Sequence, residues 1–185
     1  MSPAPLPLTL TATATLGSDS MLTIHYELLN ASEQPVYLFN RLTRLGAESV
    51  FDTDPNAVNV VLTSDRVVVG KAQVAVPPNQ EVERPYVPGL SLVASGTTLA
   101  EVVRLPQPLV PFTWYQSRPM RSTPVLRPLY FELGYAPATP ATTGFVELLN
   151  TPYGDLHYAG RFPLAQQQLL TTRVLLTAVP VLSER

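Results

Sequence analysis

Twenty prolines are scattered through these 185 residues, and they limit the architecture more than any other feature of the chain. Proline has no amide proton to give to a helix interior or a central ladder, and its ring collides with the preceding helical turn. No Gly-X-Y period accompanies them, which excludes a collagen-like rod. The prolines must punctuate many short elements, and strands with prolines at their ends and edges meet that requirement better than helices do.

Hydrophobic periodicity agrees. Leu8, Leu10, Ala12 and Ala14 alternate with Thr9, Thr11, Thr13 and Thr15, the period-two pattern of a half-buried strand with one wet threonine face. Within Met21 to Asn30, Leu22, Ile24, Tyr26 and Leu28 share a face opposite Thr23, His25 and Glu27. The turn residues Asn30 to Pro35 lead to a third strand, in which Val36, Leu38 and Asn40 alternate with Tyr37 and Phe39. Val58 to Leu62 and Arg66 to Val76 read as a hairpin about Ser64 and Asp65.

Proline-rich residues 77–88 are expected to form an extended edge or crossing loop. Val102 and Val103, between Gly96 and Pro106, favour a strand over a helix for Thr97 to Leu105. Pro106 to Thr123 is expected to be an ordered but irregular segment. Leu129, Phe131, Leu133 and Tyr135 alternate as a late strand, and a Thr151 to Asp155 turn joins Phe145–Leu149 to Leu156–Phe162. Pro163 to Leu170 suits a helical turn or two, and Arg173 to Leu182 is apolar on both faces, as a strand in the sandwich interior would be.

These elements predict an all-β fold, an antiparallel β-sandwich of seven or more strands with long proline-rich loops, occupying 1–185 as a single domain. Only 14% of residues are charged, against roughly 25% in an average globular chain, while the apolar share is ordinary. A net charge of −2 without a lysine and arginine cluster argues against a nucleic-acid partner. The single lysine, Lys71, among eleven arginines suggests no function by itself. The absence of cysteine excludes disulfides, thiolate nucleophiles and thiolate-bound zinc. The opening residues lack a basic n-region and no apolar run approaches ~20 residues, so a soluble, cytoplasmic chain with no membrane span is expected.

Seven or more strands separated by turns, with a long proline-rich crossing in the middle, resemble an immunoglobulin-like sandwich of bacterial type. Met21 to Leu38 resembles a strand B to strand C passage, Pro88-Gly89 the approach to strand E, and Leu129 to Tyr135 a strand F in which Tyr130 or Tyr135 could form a tyrosine corner. The cysteine pair of antibody domains is missing. The resemblance implies a scaffold and leaves its use open, since such domains include inhibitors, adhesins and scaffolding modules.

Candidate chemistry is sparse. The residues that most suggest a binding surface are Trp114, Tyr115, Arg118, Arg121 and Arg127, because tryptophan, tyrosine and arginine dominate interface hot spots. The other reading of this segment is a tryptophan plugging the end of the sandwich beside solvated arginines. Asp155 and His157, two apart on a strand, are half of a hydrolytic triad without a nucleophile. A hairpin turn at Gly154 and Asp155 with a cross-strand histidine is the favoured account of the same residues.

Asp52, Asp54 and Asn56 have the spacing of a calcium loop, but Ala57, Pro55 and Thr63 oppose it and an Asx-turn accounts for the same residues. Glu81 and Glu83 suit a solvated edge. The expectation is therefore a non-catalytic binding or protein-interaction module with no cofactor and no metal, whose partner is another protein. The alternatives are a hydrolase using Asp155 and His157, and a structural subunit that assembles with copies of itself.

Overall fold

The computed structural model describes residues 6–117 and 120–184, and these form fourteen strands and almost no helix. The chain is all-β, with two sheets in a sandwich-like arrangement. No helix among the described residues is long and apolar enough to cross a membrane.

The smaller sheet has three antiparallel strands in the order β1 (Leu8–Leu16), β2 (Met21–Asn30) and β7 (Thr98–Pro106). Leu8 lies opposite Asn30, and Met21 opposite Pro106. The alternation read from sequence sets its two faces: Leu22, Ile24, Tyr26 and Leu28 are buried, and the threonines of β1 face water.

The larger sheet is organised about β10 (Met120–Pro137), eighteen residues long. One of its edges carries β5 (Val67–Lys71), parallel to Leu129–Leu133, and then β3 (Val36–Arg41), antiparallel to Tyr135–Pro137. The other edge carries β14 (Leu176–Glu184) and then β13 (Gln168–Thr171). Beyond β5 lie β4 (Asn59–Leu62) and the short hairpin of β8 (Phe112–Thr113) and β9 (Gln116–Ser117). Beyond β3 lie β6 (Gly89–Val93), β12 (Gly154–Tyr158) and β11 (Glu147–Thr151). The parallel β5–β10 ladder requires a crossover, and the chain supplies it by way of β6, β7 and the β8–β9 hairpin.

Proline explains part of this layout. Pro124 and Pro128 fall where β10 has only β14 beside it, before β5 begins to pair at Leu129, and Pro128 sits in a register shift. A missing amide donor is tolerated in such places. In Pro106 to Thr123, expected to be ordered but irregular, the described residues hold the β8–β9 hairpin and the first residues of β10. The last strand also differs from expectation. β14 buries Val179 and Val181 but exposes Thr177 and Ala178, and on the side away from β10 it is met by Leu109, whose amide donates to the Pro180 carbonyl at 2.9 Å and whose carbonyl accepts from the Leu182 amide at 2.8 Å.

The main core lies between the sheets and includes Leu22, Ile24, Leu28, Leu38, Val69, Val103, Phe131 and Val181. A second cluster covers the opposite side of β3, where Tyr37 and Phe39 meet Leu90, Ala136, Ala159 and Phe162. Both faces of β3 are therefore buried. The β2 to β3 passage between sheets is held by Asn30, whose buried amide donates to the carbonyls of Gln34 and Val93 at 2.9 and 3.1 Å and accepts from Ser32.

Candidate functional site

Trp114 occupies the turn of the β8–β9 hairpin, which is joined to the sheet by a pairing of Phe112 with Val60. Its indole stacks on the ring of Tyr86, with centroids 3.9 Å apart and planes 10° from parallel. Tyr86 is itself fixed. Its hydroxyl accepts from the Thr43 amide at 2.8 Å, and its own amide donates to the Tyr115 hydroxyl at 2.6 Å. Burial raises the Tyr86 hydroxyl above the ordinary tyrosine range, so it stays protonated. Tyr115 is thus a buttress, further tied by its carbonyl to Gln80 at 3.0 Å.

The other side of Trp114 is open. The indole remains 40% exposed and lines a pocket of about 580 Å³ together with Leu42, Leu45, Val58, Leu109 and Phe112. Leu45 and Val110 stand at its margin, 74% and 51% exposed. Asp54 lines the polar end, with its carboxylate accepting from the Asn56 amide at 2.8 Å in the expected Asx-turn. Asp52 points elsewhere and is paired with Arg44. Among the described residues no group of three or more acidic or histidine side chains is placed to hold a metal ion.

The arginines grouped with Trp114 by sequence do not share one loop with it. Arg127 lies within β10 opposite Val179, with its guanidinium donating to the adjacent Leu126 carbonyl, and it does not line the pocket. Arg121 belongs to the same strand, and Arg118 lies outside the described residues. Asp155 is exposed on β12 and accepts from Asn150 at 2.9 Å, whereas His157 packs 6.0 Å from the ring of Tyr37. His25 is exposed on β2. Tyr135 donates its hydroxyl to Gln168 at 2.6 Å and Tyr130 lies under Arg66, so each hydroxyl or ring is engaged by a side chain.

A second constellation was not read from sequence. It lies between the two sheets. Val67, Val69 and Lys71 share one face of β5; Val36, Leu38 and Asn40 share one face of β3; Leu99, Glu101, Val103 and Leu105 share one face of β7. Packing the sheets brings the three polar members of these rows together with Tyr26. Asn40 Nδ2 donates to Glu101 Oε1 at 3.0 Å, and the Tyr26 hydroxyl donates to the same carboxylate. Lys71 Nζ lies 3.8 Å from Glu101 Oε2 and donates to the carbonyls of Asn40 and Pro55 at 3.2 and 2.7 Å.

Lys71 is fully buried, and desolvation pushes its amine down to about 8 against the attraction of Glu101. Tyr26 is raised far above its ordinary range by burial and by the neighbouring carboxylate. Asn40 Oδ1 is buried without a hydrogen-bond partner. One sequence signal could have located this cluster: single polar residues interrupt otherwise apolar inward rows, a costly substitution unless the polar groups meet.

No family model matches the chain, and neither a curated protein nor a solved structure matches it.

Proposed function

We propose that this chain is a non-catalytic binding module, built on an immunoglobulin-like sandwich, whose groove beside Trp114 receives an extended apolar segment of another protein. The observation that carries this reading is the stacking of Trp114 on a hydrogen-bonded Tyr86, which leaves the rest of the indole facing an apolar pocket. A large aromatic already held in place loses little conformational freedom on binding. The pocket also has the scale of a site for a few side chains, not a whole domain. The passage of β2 to β3 between sheets at Asn30 supports the immunoglobulin-like part of the reading.

Trp114 is the only tryptophan, so its emission reports the groove directly. Extended peptides selected by display on the purified protein are expected to shift that emission on titration. Val110→Asp is expected to weaken their binding at least tenfold with unchanged unfolding. Selected peptides that leave the emission unmoved and bind Val110→Asp as well as the native chain would remove the groove from the function. Light scattering that shows dimers dissociated by Val110→Asp would assign the groove to a second copy of the chain.

A further inference from the structure

We propose that Lys71 and Asn40 form an intramolecular amide cross-link, with Glu101 as the group that transfers the proton between them. The two reactants come from strands that occupy consecutive positions along one edge of β10, β5 opposite Leu129–Leu133 and β3 opposite Tyr135–Pro137. The acid comes from β7 in the facing sheet. Glu101 contacts both reactants with different oxygens, Oε1 accepting from the Asn40 amide at 3.0 Å and Oε2 lying 3.8 Å from the Lys71 amine. The amine is also held at 3.2 Å from the main-chain carbonyl of Asn40, so it is anchored on the residue it would attack.

Two further observations point the same way. The Asn40 carbonyl oxygen is buried with no donor facing it, leaving the carboxamide half-satisfied where a structural asparagine would be fully bonded. Burial also holds the Lys71 amine at about 8, so a useful fraction is neutral and nucleophilic close to neutral pH.

The step balances without any added reactant. The Nζ lone pair attacks Asn40 Cγ, and a C–N bond forms. Glu101 takes one Nζ proton and delivers it to Nδ2. The Cγ–Nδ2 bond then breaks, ammonia leaves, and Glu101 returns to its carboxylate form. No disulfide can exist in a chain without cysteine, and this bond would tie the ends of β3 and β5, which share no ladder of their own.

Intact mass under denaturing conditions tests the proposal. The native chain is expected to be lighter than its sequence by one ammonia, and Glu101→Gln and Lys71→Met are expected to have their full masses. Lys71 is the only lysine and Arg84 precedes a proline, so a tryptic digest is expected to contain the peptide ending at Arg41 joined to the one spanning 67–104. A native chain that keeps its full mass after prolonged incubation at mildly alkaline pH overturns the proposal. So does an ammonia loss without the joined peptide, which marks succinimide formation at an asparagine. The joined peptide from the native chain decides the matter even if a variant fails to fold.

Discussion

The groove beside Trp114 and the polar cluster around Lys71 obey opposite rules. In the groove an aromatic ring is left partly in water, and its neighbours spend their hydrogen bonds on holding Tyr86 still. In the cluster the only lysine of the chain is withdrawn from water altogether, among residues that otherwise form an apolar core. The groove is inexpensive to the fold and ready for an outside partner. The cluster is expensive, since a buried ion pair seldom repays its desolvation, and nothing outside can reach a fully buried amine. The difference separates a surface for recognition from an interior device whose reactants all belong to the same chain.

The largest effect should come from breaking the cluster on one side only. Glu101→Ala leaves the Lys71 amine buried without its carboxylate, and a loss of about 3–5 kcal/mol is expected in denaturant unfolding at neutral pH. Replacing both partners, as Lys71→Met with Glu101→Leu, should recover the part of that loss that comes from the unpaired buried charge, because similar-sized apolar side chains suit the core. If the double variant is no more stable than Glu101→Ala, the cluster is a source of stability and the contrast with the groove fails.

pH gives the next largest effect. An amine held at about 8 in the fold against its ordinary 10.5 means that between those values the unfolded chain binds the extra proton, so stability rises with pH across that window. Below about 8 both states are protonated and the penalty is constant. Glu101 and Asp54 face the amine as anions and Arg41 as a cation. Tyr26, raised in the fold, opposes the trend only above about 10, where an unfolded tyrosine begins to ionise. In Glu101→Gln, which keeps a free amine and loses its main attractive charge, urea midpoints should rise with pH by the equivalent of about 3 kcal/mol. A native chain whose amine is already an amide should show no such rise.

The smallest effect on stability belongs to the groove. Trp114→Ala should cost no more than about 1.5 kcal/mol, the value of a lost aromatic stack, while abolishing the binding of any peptide that shifts the native emission. A cost near 4 kcal/mol would make Trp114 a core residue and restore the plug reading of this segment.

Much of the fold was legible because strand alternation is local. The threonine face of β1, the buried row of β2 and the hairpin of β4 and β5 follow from residues two apart. The Thr98–Pro106 strand was also legible from its flanking glycine and proline. The errors arose where neighbours decide. β14 carries apolar residues on both faces, yet only Val179 and Val181, which join the core between the sheets, are buried. Arg127 is close to Trp114 in sequence, but the intervening residues enter an eighteen-residue strand that carries it away from the groove.

The same division applies to the two sites. By itself the sequence determined that the chain is β throughout, that Val69 and Lys71 share a face, and that Leu99 and Glu101 do too. A two-residue period needs no knowledge of the rest of the molecule. Only the tertiary structure decided that the inward faces of β2, β3, β5 and β7 meet, placing Tyr26, Asn40, Lys71 and Glu101 together. That meeting depends on which strands share β10 and which sheet covers them, and contacts between residues thirty to seventy-five positions apart are written in no local pattern.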